Sequence, residues 1–365
     1  MPGRRSALPL LTLLLGAALG YGVRDRLVAT PGAGAPAAAT AAAEADTEVL
    51  RRNLAETRAW LARWLPGEAE PAETEEPDYS AERVFYDQYR LVDEALARLR
   101  PQTPGKADLY VVAFAGDGDE NVFRNEAEYV EKLFSERFDA RDRVVVLENN
   151  PATVETRPLA TWSNLELVLD GLIDKARFDP DEDVLLLFLT SHGDAEHNLY
   201  VGMDVLPLDW IGAPDLAGIL NARPFRWRVA IVSACYSGGF LDVLRNSTSM
   251  VITAARADRT SFGCGSASDI TFFGKAFFVE GLNQTDSFRG AFEVARQLVA
   301  EWEEAEKQTP SEPQIASTPL IETKLAQWRQ GIRLGPPQPF QPAVAGPSDA
   351  ASPGAAASSE KSTKQ

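Results

Sequence analysis

Cysteine and histidine are scarce, with two of each in 365 residues. Two cysteines cannot build a disulfide framework, so the fold must rest on a hydrophobic core. The histidines, His192 and His197, have Asp194 and Glu196 between them, all of metal-ligating type. The four sit in one short polar stretch rather than on one helical face, and no third histidine can join them, so no metal and no organic cofactor is expected. Cationic residues are also in deficit: 36 Lys and Arg stand against 53 Asp and Glu, a net charge of −17. That deficit excludes nucleic acid as a partner, because phosphate binding needs clustered Lys and Arg. It reads instead as a soluble, self-repelling surface. No internal repeat is present. Hydrophobic residues make up 45% of the chain, enough for one large domain or two smaller ones.

The N-terminus has a basic start, Arg4 and Arg5, followed by an apolar stretch over residues 7–23. This is the pattern of a signal anchor or a signal peptide over residues 1–23. With the arginines on the inside, either form places the rest of the chain outside the cytoplasm: anchored in the inner membrane with its domain in the periplasm, or secreted there. Residues 24–46 are rich in Ala and Pro and read as a linker. Residues 47–104 read as a helical N-terminal region. One amphipathic helix spans 47–65, with Leu50, Leu54, Leu61 and Trp64 on a face, and a second follows a Ser80 cap. Residues 335–365 are rich in Pro, Ala and Ser, lack periodicity and read as a disordered tail.

Between these flanks, residues 105–334 alternate short apolar runs with helical periods. Strands are expected at 109–114, 144–147, 184–189, 229–232 and 250–253. Helices are expected at 121–138, 161–176, 215–222, 272–282 and 287–306. Continuous apolar strands alternating with helices predict an α/β fold with a mainly parallel sheet, covered by helices on both faces and preceded by N-terminal helices.

The chemistry gathers where two of those strands end. The run at 184–189 leads into Thr190-Ser191-His192-Gly193-Asp194. The run at 229–232 leads into Ser233-Ala234-Cys235-Tyr236-Ser237-Gly238. Ligand sites in open parallel sheets lie beyond the carboxyl ends of the strands. If the two strands are neighbours, imidazole and thiol face each other across one strand spacing, ~5 Å. A thiol beside an imidazole is a nucleophile with its base. A helix starting near Gly238 would favour the Cys235 thiolate. The N–H groups of Gly193 and Cys235 can bind an oxyanion. The competing readings are a structural disulfide between Cys235 and Cys264, and a non-catalytic envelope protein that uses its helices to bind a partner. His197 reads as a surface residue, and Cys264, if unpaired, as a packed one.

The two strand-end motifs together resemble the legumain family of cysteine peptidases (peptidase C13), above all its secreted or membrane-anchored bacterial members; the family's relatives include the catalytic subunit of the glycosylphosphatidylinositol transamidase. The likeness runs over about residues 109–278. It takes in Ala115-Gly116, Asn149-Asn150-Pro151, and Thr253-Ala254-Ala255-Arg256 leading to Thr260-Ser261-Phe262-Gly263-Cys264. The resemblance implies a caspase-like fold and a cysteine endopeptidase that forms an acyl-enzyme on a peptide or protein substrate. A peptide ligase or transamidase would use the same dyad. In this reading Cys235 is the nucleophile, His192 the base and Gly193 an oxyanion donor, with Arg124, Ser233 and Ser261 in substrate binding. Two departures stand out. Ser233 replaces an acid of the asparagine-specific relatives, and a second pocket acid is replaced near Gly274-Lys275. The family's histidine-orienting asparagine falls at Val122, with Asn121 beside it.

Overall fold

A computed structural model describes residues 79–265 and 268–343. The expected membrane segment, the linker and the first amphipathic helix lie outside the described residues. Among those described, no helix is long and apolar enough to cross a membrane.

Six strands form one sheet in the order β2-β1-β3-β6-β7-β8. They are β1 (Leu109–Ala115), β2 (Val144–Glu148), β3 (Val184–Thr190), β6 (Trp227–Ser233), β7 (Ser249–Thr253) and β8 (Gln314–Ser317). All neighbours pair in parallel except β8, which runs antiparallel to β7 along the edge. A separate two-stranded ribbon joins β4 (Asn198–Leu199) to β5 (Ile211–Gly212). The fold is thus of the expected α/β class, with one antiparallel edge added.

The period of two along each strand sorts the core into two layers. Val111, Ala113, Leu186, Phe188, Val229 and Ile231 face one side. There they meet α2 (Asn121–Glu136), α8 (Phe288–Ala305) and α9 (Pro319–Gly331). Tyr110, Val112, Leu185, Leu187, Ala230 and Val232 face the other. They meet α1 (Ala81–Ala97), α3 (Trp162–Asp174), α4 (Ala213–Asn221) and α5 (Gly239–Leu244). Both faces being covered, β1 and β3 are buried along their whole length, which is why they read as unbroken apolar runs.

Side-chain caps set the helix starts. Ser80, Thr161, Ser287 and Thr318 each accept a backbone N–H from the first turn. The helix expected at 272–282 is divided. One turn, α6 (Phe272–Gly274), leads into a π-helix at Lys275–Gly281 and a closing turn, α7 (Leu282–Gln284). The wider π-turn carries Phe277 and Phe278 into the core, where Phe278 meets Phe188 edge-on at 4.8 Å.

The stretch after Gly335 lacks periodicity, yet its first residues are held against α2. Arg137 donates to the Gly335 carbonyl at 2.8 Å, and the Tyr129 hydroxyl to that of Gln338 at 2.8 Å. Phe340 packs edge-on against Tyr129 at 5.4 Å. Such a segment needs no repeat of its own, because partners elsewhere satisfy its backbone carbonyls.

Candidate active site

β3 and β6 are adjacent, and their last paired residues are Thr190 and Ser233. His192 and Cys235 each lie two residues further on, so the parallel register delivers imidazole and thiol to the same level of the sheet edge. The ladder continues one step past the strands, with Ser191 N–H donating to the Ser233 carbonyl at 3.2 Å. The two loops then touch. A Cβ on Gly193 would stand 2.2 Å from the Cys235 carbonyl oxygen, a place only glycine can occupy.

The Cys235 sulfur is half-buried and held by the loop that follows β7. Ser261 N–H donates to it at 3.3 Å, and the Ser261 carbonyl and hydroxyl lie at 3.6 and 3.8 Å. The Cys264 thiol hydrogen-bonds the same sulfur. That bond is the main cause that draws the Cys235 thiol down to about 6. Burial opposes it, and the Ser261 donors and the charge of His192 add to it. The same bond to Cys235, with burial and the neighbouring thiolate adding to it, pushes Cys264 the other way, well above an ordinary thiol. The loop therefore supplies the stabilisation anticipated from a helix start, since α5 is a six-residue helix.

Tyr236, next in sequence, adopts φ 56°, a left-handed turn that carries the chain sharply away from the strand. His197 Nδ1 lies 3.1 Å from the Tyr236 carbonyl, so this residue braces the turn rather than standing free on the surface.

Two carboxylates flank His192. Its Nε2 lies 3.4 Å from Asp117 and 3.7 Å from Glu120. Phe123 packs edge-on against the ring at 5.1 Å. Asp117 follows β1, and Glu120 stands at the N-cap position of α2 without a capping hydrogen bond from its side chain. Burial raises the pKa of both above the ordinary carboxylate value. Val122, at the position of the family's orienting asparagine, is in the core, and Asn121 beside it accepts from Asn150 at 3.0 Å. A cleft of about 390 Å³ opens here, lined by Asp117, Glu120, His192, Gly193, Tyr200 and Trp210. It lies where β1 and β3 diverge, since the chain leaves β1 for β2 on one side and returns to β3 on the other. This is the switch point at which open α/β sheets bind ligands.

Residues 168–323 match the peptidase C13 family. The matched stretch contains both strand ends, and the family is one of cysteine peptidases. No curated protein matches the chain. Among solved structures, the crystal structure of caspase-1 from Spodoptera frugiperda is similar with a TM-score of 0.40 at 13% identity, over 60% of this chain and 92% of that one.

Within the matched stretch, Gly193 forms an isolated antiparallel bridge with Leu199. The hydrogen bonds of that bridge flank it, from Tyr200 N–H to His192 O and from Asp194 N–H to Asn198 O. Gly193 is therefore in a non-hydrogen-bonded pair, and its N–H points away from Leu199.

The remaining candidates separate. Ser261 is in direct contact with the Cys235 sulfur. Ser233 is buried beneath the site, 3.2 Å from the Thr271 hydroxyl. Arg124 turns away, donating to Glu128 at 2.8 Å and to Asn150 at 3.2 Å. The floor of the site holds an acid that the family resemblance did not signal. Glu126, fully buried on α2, accepts from Thr190 at 2.9 Å and Thr271 at 3.2 Å and bonds Ser233. Thr190 and Ser233 are the last residues of the two site-bearing strands, so one carboxyl ties both strand ends together. Burial raises it to about 7.

Proposed function

We propose that the protein is a cysteine endopeptidase in which Cys235 is the nucleophile and His192 the general base. The observation that carries this reading is the shared register of the two residues beyond Thr190 and Ser233 on adjacent parallel strands. Cys235 attacks the substrate carbonyl, and the oxyanion is received by the N–H groups of Gly193 and Cys235. His192 protonates the leaving amine, and an acyl-enzyme remains. Water then releases the acid, and the same intermediate passed to an amine would give ligation. Asp117 and Glu120 orient the imidazole and stabilise its charged form, as a carboxylate does in other nucleophile–histidine pairs. The basic N-terminal start and apolar run support action outside the cytoplasm.

The test is labelling by an electrophilic peptide probe together with cleavage of a peptide library. Labelling and cleavage should be lost in Cys235→Ala and His192→Ala, with kcat/KM falling by at least ~10³-fold. Labelling that persists in Cys235→Ala sinks the assignment. Product analysis with an added amine nucleophile separates hydrolysis from transfer.

A further inference from the structure

Every cysteine of the chain is at this site, and the mechanism uses one of them. Cys264 forms no covalent bond in the acyl transfer, yet the loop after β7 holds it three residues beyond Ser261, whose N–H bonds the Cys235 sulfur at 3.3 Å, with its own thiol beside that sulfur. Both thiols are free and both are partly exposed. The loop is clamped on the Cys235 side by the Ser261 N–H bond at 3.3 Å. Past that clamp the chain is packed against Phe272 at Gly263 and meets open space at Gly265. Cys264 lies between Gly263, at φ +78°, and Gly265, around which there is open space. A disulfide needs Cα atoms about 4.4–6.8 Å apart, and the glycine on the open side of Cys264 gives its backbone torsional freedom to approach that range.

We propose that Cys235 and Cys264 are a reversible oxidative modification site, closed to a disulfide by a hydroperoxide and reopened by a dithiol. The two sulfurs divide the chemistry unequally. Cys235 is the thiolate at neutral pH, the form that attacks peroxide, and Cys264 stays protonated beside it. In the first step the Cys235 thiolate attacks one peroxide oxygen. The O–O bond breaks, the alcohol or water leaves with a proton from solvent, and Cys235 becomes a sulfenic acid. In the second step the Cys264 sulfur attacks the sulfenic sulfur. The S–S bond forms, and the Cys264 proton departs with the hydroxyl as water. The two sulfurs lose two electrons in all, and the peroxide gains them. A dithiol reverses this by attack on the Cys264 sulfur, because Cys235 is the better leaving thiolate.

A disulfide removes the nucleophile, so activity is lost while the bridge lasts. That consequence rests on the peptidase reading, whereas the bridge itself does not. The site would protect Cys235, since a sulfenic acid captured by a neighbouring thiol cannot advance to the irreversible sulfinic form.

The experiment treats the full-length reduced protein with hydrogen peroxide, blocks the remaining thiols and maps tryptic peptides without reduction. The expected result is a linked pair holding Cys235 and Cys264, lighter by two hydrogens than the sum of its parts and split by dithiothreitol. Peptidase activity should fall more than about tenfold as the link forms and return on reduction. In Cys264→Ser the same dose should drive Cys235 to sulfinic acid, with a loss that dithiothreitol does not reverse. Wild-type protein that yields sulfinic Cys235 and unmodified Cys264 overturns the proposal. So does an equally reversible loss in both forms. A linked peptide in a protein that cleaves nothing would support the redox site and overturn the peptidase reading, and active protein without the link would do the reverse.

Discussion

The ionisation of Cys235 is set by its neighbours one by one. The Cys264 thiol is the leading cause of its lowering to about 6, ahead of Ser261 and the charge of His192. The reactive form is the thiolate, so kcat/KM should rise with pH through about 6 and level off above it. Removing the Cys264 donor takes away the largest lowering contribution while the desolvation stays. The acid limb of the Cys264→Ala profile should therefore move to higher pH. A probe-labelling rate measured against pH in both proteins checks this, and an unmoved limb would show that Cys264 does not tune the nucleophile. The contact was hidden in the sequence because it arises in an irregular loop, where no period relates one residue to another. The acids beside His192 were hidden for another reason: among 53 Asp and Glu, nothing marks Asp117 and Glu120 until β1 and β3 are set side by side.

At the scale of elements, the site exists because two parallel strands end in register. Those strands were legible, since each is a continuous apolar run buried on both faces. The edge strand β8 was not, because all four of its residues are only half-buried and Pro310 and Pro313 precede it. α9 did leave a signal, the Thr318 cap before Pro319 and apolar residues Ile321, Leu325 and Trp328 at helical spacing. The π-turn left none, since a phenylalanine-rich helix is apolar on every side and a change of pitch does not alter its composition. The closeness of the two strand-end loops makes a sharp prediction for Gly193. In Gly193→Ala the new methyl would meet the Cys235 carbonyl at 2.2 Å, so one loop must move. A displacement of ~1 Å at reacting atoms costs on the order of 100-fold in rate. We expect a kcat loss of that size with the thermal midpoint lowered by only a few degrees, measured by peptide cleavage and calorimetry. Wild-type kcat in this variant would mean that the loops are not held in contact during turnover.

Across the whole molecule, buried carboxyls couple folding to pH in a direction opposite to that of salt-bridged ones. Burial raises Glu126 to about 7 and Glu148 to about 7, both from 4.5, and Asp183 to about 6 from 3.8. Each is raised in the folded state, so between its ordinary value and its folded value the native protein holds more protons than the unfolded chain. Stability then falls as pH rises through that window, from about 4 to about 7, and flattens above it. Asp258 is lowered to about 2, but its window lies below this range. Glu126 gives the cleanest test because it is fully buried and no cation offsets it. A rise from 4.5 to about 7 corresponds to an upper bound of ~3 kcal/mol at pH 8. Glutamine mimics the protonated carboxyl, offering one acceptor and a donor to Thr190, Thr271 and Ser233, whose hydroxyls can rotate to suit. Wild-type protein should therefore melt at a lower temperature at pH 8 than at pH 5. Glu126→Gln should recover much of the difference at pH 8 while changing little at pH 5. Calorimetry at the two pH values decides: a variant that melts below wild type at both would mean that the ionised carboxylate stabilises the fold. The tie between Thr190 and Ser233 would then be strongest in the charged state, and the strand ends beneath Cys235 would loosen toward acid pH.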